Sequence, residues 1–164
     1  LTYATSQRAN VLSKHKTNKE VEEYLTHVVN DDERARRRDV LLNGVESSEA
    51  QSAIRTLDKM LANMENILAH GDFLTGDHYS LADAALTPFV LRLDLLELQA
   101  MWTERRPRVD QWWQRICARP SFEEEIQESA TDVTDSYRQM VATEGRKAWP
   151  RLKEILEQRD KAGS

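Results

Sequence analysis

The chain has 164 residues, of which 40% are hydrophobic and 31% charged, with five glycines and four prolines. So few turn-forming residues favour helices over a sheet protein, which needs many turns. The net charge of -5 argues against a general nucleic-acid binder, because phosphate contacts require clustered Lys and Arg. We see neither an apolar run of the roughly 18 residues that span a bilayer nor a secretory leader. We therefore expect one all-α domain over residues 1–164, cytoplasmic, with neither a nucleic-acid nor a membrane partner.

The first predicted helix runs from Leu1 to about Lys14. Its apolar positions can share one side, and Tyr3, Gln7 and Asn10 form an adjacent stripe of mixed polarity. The chain begins with Leu1 rather than Met, and no helix-start signal precedes this stretch. We therefore expect the natural protein to continue upstream.

Two shorter helices are predicted next. Lys19 to Val29 has apolar residues at helical spacing, and residues 17–18 can cap it. Asp31 to Asn43 can be capped by Asn30 and ended by Gly44. The second helix carries the one basic run of the chain directly after an acidic run, so its charge is offset locally. We interpret it as a solvated helix face rather than a binding patch.

The clearest helical pattern extends from Ser48 to His70, where apolar residues step by three and four throughout. Gly71 stands where a left-handed residue would stop this helix, and Gly71 to Gly76 makes a short polar break. The helix after this break should therefore run antiparallel to the helix before it.

Ser80 opens the next predicted helix, which runs to about Leu98. Its apolar residues cover most of the circumference, which is typical of a central helix packed on several sides. Ser80 and Asp83 have the spacing of a capping box, and Tyr79 before the cap can pack on Ala84. Pro88 within the helix should kink it, because proline removes a backbone hydrogen bond.

The remaining chain reads as further helices. Pro107 suits a first helical turn, and Trp112 and Cys117 then fall on one apolar side before Pro120 ends the run. Cys117 is the only cysteine, so an internal disulfide and a site of paired cysteines are excluded. We expect it to be a buried, inert thiol. Beyond position 128 we expect a helical but peripheral tail.

The segment from Phe73 to Phe122 resembles the C-terminal domain of glutathione S-transferases. The resemblance rests on a glycine turn, an aromatic residue, a capped Leu-Ala-Asp helix start, an internal proline and a later Pro…Trp…Arg-Pro-Ser-Phe stretch. These are Gly76, Tyr79, Ser80, Leu81, Ala82, Asp83, Pro88, Pro107, Trp112, Arg119, Pro120, Ser121 and Phe122. The spacing from Leu95 through Trp102 to Pro107 is most similar to bacterial dehalogenase and etherase-type transferases and to ganglioside-induced differentiation-associated proteins.

The resemblance implies a parent protein in which an upstream thioredoxin-like domain, absent from this chain, holds glutathione. The helical domain would supply the apolar wall for an electrophilic co-substrate in a detoxification reaction. The opening helix would line that pocket, with Tyr3, Gln7 and Asn10 facing the substrate. Glutathione would be the co-substrate of the intact protein, with neither a cofactor nor a catalytic residue on this chain alone. The family precedent for assembly is a homodimer.

Alternative interpretations remain open. Tyr3 could instead pack on the missing domain, and the whole chain could be a non-catalytic assembly module, as in some translation-associated proteins of this type. The four histidines lack metal-ligand spacing on one helix, so we expect no metal site. The acidic cluster at positions 123–128 falls in a predicted first turn, where it complements the helix dipole rather than performing acid–base chemistry.

Overall fold

The computed structural model describes residues 18–124 and 135–162. Within these ranges the regular elements are all helices, which confirms the all-α prediction, and the only β-type pairing is an isolated bridge between Phe73 and Gly76. The α-helices are α1 (Asn18–Thr26), α2 (Asp31–Asn43), α3 (Ser48–Ile67), α4 (Leu81–Leu95), α5 (Ala100–Thr103), α6 (Pro107–Cys117) and α7 (Asp135–Ala162). Short 3-10 helices cover Gly44–Glu46 and Leu68–His70, and residues 120–124 are helical.

The chain forms two compact units. The described residues of the first unit are 18–56 and 143–162, and those of the second are 57–124 and 135–142. Helices α3 and α7 contribute to both units. A single domain over residues 1–164 stays a prediction.

In the first unit, α1 is shorter than predicted. It buries Val21 and Leu25 but ends at Thr26, three residues before the expected Val29. The Thr26 hydroxyl donates to the Glu23 carbonyl at 2.7 Å, and a local side-chain bond of this kind competes with helix continuation. Val29 is 93% exposed in the turn that follows.

Helix α2 begins and ends as predicted. The Asn30 side chain accepts from the Glu33 N–H at 2.9 Å, and Gly44 takes a positive φ of 52° at the C-terminus. None of the thirteen residues of α2 is buried.

Helix α3 follows a buried cap. The Ser47 hydroxyl accepts from the Ala50 N–H at 3.2 Å and donates to the Gly44 carbonyl at 2.7 Å. The apolar stripe predicted from Ser48 onward is buried at most of its positions, but Ile67 is 46% exposed. Its buried members are Ala50, Ile54, Leu57, Leu61, Met64 and Leu68.

The left-handed stop predicted at Gly71 is wrong. Gly71 is extended (φ 177°, ψ 171°), and the helix instead tightens into the 3-10 turn Leu68–His70 before the chain leaves. The position still requires glycine, because a Cβ atom there would lie 2.7 Å from the Gly76 backbone. Gly76 carries the positive φ of the turn, 119°.

The core of the second unit comes from the second part of α3, from α4 to α6 and from the turns between them. Its fully buried aromatic residues are Trp102 and Trp112. We expected α4 to be packed on several sides, but one face of the helix is exposed to solvent. Leu81 is 87% exposed and Leu95 42%, and Ala85 and Pro88 between them are exposed as well. The predicted kink at Pro88 stays a prediction.

The expectation of a peripheral tail is wrong for the second half of α7. Leu152 and Ile155 are 0% and 1% exposed, so they belong to the core of the first unit. On the outside, Arg151 holds the Glu46 carboxylate through Nε at 2.7 Å and Nη2 at 3.0 Å.

Candidate functional site

The predicted substrate-binding residues Tyr3, Gln7 and Asn10 lie outside the described residues. The predicted capping pair, Ser80 and Asp83, lies in the second unit and is the centre of a larger cluster. We therefore describe the site outward from Asp83.

The capping box at the start of α4 is confirmed. The Asp83 carboxylate accepts from the Ser80 N–H at 2.9 Å and from the Ser80 hydroxyl at 2.7 Å, both at Oδ2. The Ser80 oxygen in turn accepts from the Ala82 N–H at 3.3 Å. These bonds satisfy N–H groups that the first turn of a helix otherwise leaves unpaired.

Asp83 does more than cap α4. Its second oxygen, Oδ1, accepts from the Leu74 N–H at 2.9 Å and from the Trp112 indole N–H at 2.8 Å. The residue is 0% exposed, so one carboxylate inside the core ties together the 73–76 turn, the start of α4 and the middle of α6.

The electrostatics of Asp83 follow from this environment. Burial by itself raises the pKa of a carboxyl, but the hydrogen bonds from Leu74, Trp112 and Ser80 outweigh burial and hold the pKa of Asp83 below its usual range. A carboxylate that is ionised, buried and fully hydrogen-bonded is a poor proton carrier. Its chemistry is structural.

The sequence predicts Trp112 as a core residue and Asp83 as a helix cap, but it does not predict the hydrogen bond between them. One signal was present: a buried indole N–H needs an acceptor, and Trp112 lies in an otherwise apolar stripe. The partner is 29 residues away, and only the packing of α6 on α4 identifies it.

The predicted packing of Tyr79 on Ala84 stays a prediction, and the structure shows two other contacts of Tyr79. Its ring lies edge-on to Phe73, with centroids 6.1 Å apart, and the Arg119 guanidinium stacks 3.6 Å from the ring centroid. This cation–π contact connects the segment after α6 to the turn before α4.

The start of α6 is held by a residue from α3. Arg106 occupies the N-cap position, but its side chain does not bond the first N–H groups of the helix. Glu65 of α3 provides the cap instead. The Glu65 carboxylate accepts from the Arg108 and Val109 N–H groups, both at 3.0 Å. A negative charge at a helix N-terminus is favoured by the helix dipole as well.

Arg106 itself forms a second link to α3. Its guanidinium donates to Asp58 at 2.7 Å and to the Met101 carbonyl, and the residue is only 8% exposed. Sequence reasoning missed Glu65, Asp58 and Arg106, because their partners are more than 40 positions apart.

The burial predicted for Cys117 is wrong, since the residue is exposed at the end of α6. The predicted inertness of the thiol is supported, however. Desolvation by neighbouring atoms, together with the charge of Asp94, raises the pKa of the Cys117 thiol to about 11. The thiol is therefore protonated at neutral pH and a weak nucleophile.

Other chemistry finds little support in the part of the chain that the structure describes. There, groups of three or more His, Cys, Asp or Glu side chains able to hold a metal ion do not occur. Among the same residues, we find no helix both long and apolar enough to cross a membrane.

Comparison with known proteins gives the family. The model for the glutathione S-transferase C-terminal domain matches residues 21–115, which is more than half of the chain. Comparison with solved structures finds no match.

Three relatives share a shorter segment. The tetrachloro-p-hydroquinone reductive dehalogenase of Sphingobium chlorophenolicum is 37% identical over 67 residues, which are 41% of this chain and 27% of that protein. Glutathione S-transferase TCHQD of Arabidopsis thaliana is 31% identical over 42% of this chain and 26% of its own length. Glutathione S-transferase F13 of the same plant is 33% identical over 42% of this chain and 31% of its own length.

The matches to these relatives therefore span between about a quarter and a third of each protein. They include a bacterial dehalogenase, the subfamily that the sequence resembles. With its all-helical architecture and a family match over more than half of its length, the chain belongs to the glutathione S-transferase C-terminal domain family.

Proposed function

We propose that this chain is the electrophile-binding half of a glutathione S-transferase-type enzyme. The observation that carries the proposal is the match of residues 21–115 to the C-terminal domain of that family. The names of two relatives add support, one a glutathione S-transferase and one a reductive dehalogenase of a chlorinated hydroquinone. An apolar, electrophilic small molecule is the substrate class consistent with these names.

In this proposal the reaction is thiolate attack on an electrophilic carbon. The glutathione sulfur forms a C–S bond, and the leaving group departs with the bonding electron pair. A thioredoxin-like partner domain would hold glutathione and stabilise its thiolate. This chain would bind the co-substrate and exclude water from it, so that the thiolate reacts in a desolvated site.

The described groups are consistent with such a non-catalytic role. Asp83 has its carboxylate saturated by four hydrogen-bond donors, and Cys117 is held protonated. We assign the pocket to Tyr3, Gln7 and Asn10, because the sequence predicts a helical stripe of mixed polarity there, and such a stripe can contact both the apolar body and the leaving group of a substrate. Detoxification in the cytoplasm by a homodimer is the setting that this proposal implies.

The test uses the natural full-length protein with glutathione and 1-chloro-2,4-dinitrobenzene as a model electrophile. Replacing Tyr3, Gln7 or Asn10 by alanine should raise the KM for the electrophile and leave the KM for glutathione unchanged. Arg37→Gln, on the exposed side of α2, is the matched control. A changed KM for glutathione in the pocket variants would remove these residues from the electrophile site.

The isolated chain gives a second test. It should show no conjugation of glutathione to the same electrophile, because the group that stabilises the thiolate lies outside it. Measurable conjugation by the chain alone would contradict this division of roles.

An assembly module is the second candidate, and the open face of α4 is the observation that favours it. Leu81 at 87% exposure is an apolar side chain that a partner would cover. The mass of the natural protein in its source cells separates the two candidates. A mass larger by about 80 residues supports the enzyme, since that is the size of a small additional domain, and a mass near 19.0 kDa supports the module.

A further inference from the structure

Helix α2 differs from its neighbours in what attaches it to the first unit. None of its thirteen residues is buried, whereas α1 before it buries Val21 and Leu25, and α3 after it buries Ala50 and Ile54. Its apolar residues Val40 and Leu41 are only partly buried. Hydrophobic burial, the main source of helix stability in proteins, therefore contributes less to α2 than to α1 and α3.

Polar contacts take the place of burial. Arg38 donates two hydrogen bonds to the Glu22 carboxylate of α1, one from Nη2 and one from Nε at 2.9 Å. On the side of α3, Asp39 accepts from the Ser48 N–H at 3.2 Å, and Arg36 lies 4.0 Å from Glu49. The Arg38 and Glu22 side chains are 41% and 52% exposed, so water and salt reach both.

Further contacts support α2 from within but do not attach it to the core. Glu33 pairs with Arg37 at 2.7 Å and with Arg36 at 3.0 Å, and both partners lie on the same helix. Asn30 caps the first turn. These bonds favour a helix whether or not α2 lies against its neighbours.

The two ends of α2 are suited to act as hinges. Val29 before it is 93% exposed, and bonds that cross this end run from Arg34 Nε and Nη2 to the Val28 carbonyl, at 3.0 and 2.6 Å, which opening has to break. Gly44 after it has a positive φ of 52°, and the Ser47 hydroxyl fixes its carbonyl at 2.7 Å. Movement of α2 can therefore stop at Gly44 and leave the Ser47 cap of α3 in place, although the bond from the Ser48 N–H to Asp39 is lost.

We propose that α2 is a detachable strap, which opens between Val29 and Gly44 as one unit while α1 and α3 stay folded, and whose open fraction rises with ionic strength. The screening length falls from about 10 Å at 0.1 M salt to about 3 Å at 1 M, which weakens exposed ion pairs. The buried apolar contacts of α1 and α3 are not weakened in this way. Local opening of a weakly buried element is a general property of folded proteins.

The test is hydrogen–deuterium exchange of the complete 164-residue chain in 0.05 M and 1 M NaCl, read by mass spectrometry. Peptides from α2 should exchange at least about tenfold faster than peptides from α3 in low salt. In 1 M NaCl the α2 peptides should exchange about two- to fivefold faster still, the size expected for losing an exposed pair, and the α3 peptides should not change.

A matched pair of variants tests the attachment itself. Glu22→Gln removes the partner of Arg38, and Glu23→Gln changes the next residue of α1, an exposed glutamate that forms no ion pair with another described residue. Glu22→Gln should reproduce the effect of 1 M NaCl on α2, and Glu23→Gln should not. Equal effects of the two variants, protection of α2 as strong as that of α3, or acceleration of α3 to the same degree would each overturn the proposal.

Discussion

Helices α2 and α6 are similar in length, thirteen and eleven residues, but α2 carries eight charged side chains and α6 only three. Their charges are used differently. In α2 the ion pairs lie in water, whereas α6 buries Val109, Trp112, Trp113 and Ile116 and receives two carboxylates from other elements. A charged side chain contributes little to stability when its contact lies in solvent, which screens it. It contributes much when its partner would otherwise be buried without a hydrogen bond. Charge content alone therefore does not indicate how firmly a helix is held.

Among the substitutions that test this comparison, Asp83→Ala should lower the unfolding free energy most. It leaves the Trp112 indole, the Leu74 N–H and the Ser80 donors without an acceptor inside the core, which should cost about 3–5 kcal/mol of unfolding free energy. Urea unfolding followed by circular dichroism measures the loss. Asp77→Asn, an exposed carboxyl in the same turn, is the control, and an equal loss there would show that Asp83 has no special role.

Low pH should reproduce part of that effect. Because the pKa of Asp83 in the folded chain lies below that of an unfolded aspartate, its contribution is complete above the unfolded value near 4 and is lost as pH falls through the folded pKa. The difference in unfolding free energy between the natural chain and Asp83→Asn should therefore shrink below about pH 4. A difference that stays constant down to pH 2 would contradict the lowered pKa.

The reactivity of the Cys117 thiol reports on the environment at the exposed end of α6. A thiol with a pKa of about 11 should react with iodoacetamide at pH 8 roughly a hundredfold more slowly than the same cysteine in urea, where the pKa returns to about 8.5. The rate in the folded chain should still be rising at pH 10. A plateau near pH 9 would show that the environment does not hold the proton.

Glu65→Ala should have a moderate effect. The Arg108 and Val109 N–H groups lose their acceptor, and loss of a helix cap costs about 1–2 kcal/mol. Asn66→Ala at the adjacent exposed position introduces the same residue without touching α6, so it controls for helix propensity. If both variants unfold at the same urea concentration, the cap contributes nothing.

Glu33→Gln on α2 should have the smallest effect. Although Glu33 contacts both Arg36 and Arg37, the pairs are exposed, and the midpoint of thermal unfolding should stay within about 2 °C. Asp32→Asn, on the same first turn, separates the helix-dipole contribution from the ion pairs. A large drop for Glu33→Gln alone would mean that α2 is anchored as firmly as α6.

Local signals in the sequence predicted the fold well. Asn30, Gly44, Ser80 and Pro107 each act within three or four residues of their position, so spacing alone identifies them. The local charge offset of the basic run in α2 was predicted for the same reason, since Arg34, Arg36 and Arg37 pair with acids one turn away. The pair of Arg38 with Glu22 of α1 is not local and was not predicted.

The site was predicted only in part, because its main contacts are long-range. Asp83 was recognised as a cap but not as the partner of Trp112, and Glu65 received no role. The error at Gly71 has the same origin, since the close approach of Gly76 rather than a left-handed φ excludes a side chain there. Helical periodicity likewise could not show that one face of α4 is open. The role assigned to Tyr3, Gln7 and Asn10 stays a prediction.

The cap that Glu65 provides also orders the events of folding. Residue 65 is synthesised before residues 107–117, so α3 can form before α6 has gained the acceptor for its first N–H groups. A sequence separation of 43 residues must close before α6 gains its N-terminal carboxylate, and loops of that length close late relative to local turns. Helix α6 is therefore expected to become stable only on docking against a finished α3, which couples the two helices into one cooperative step.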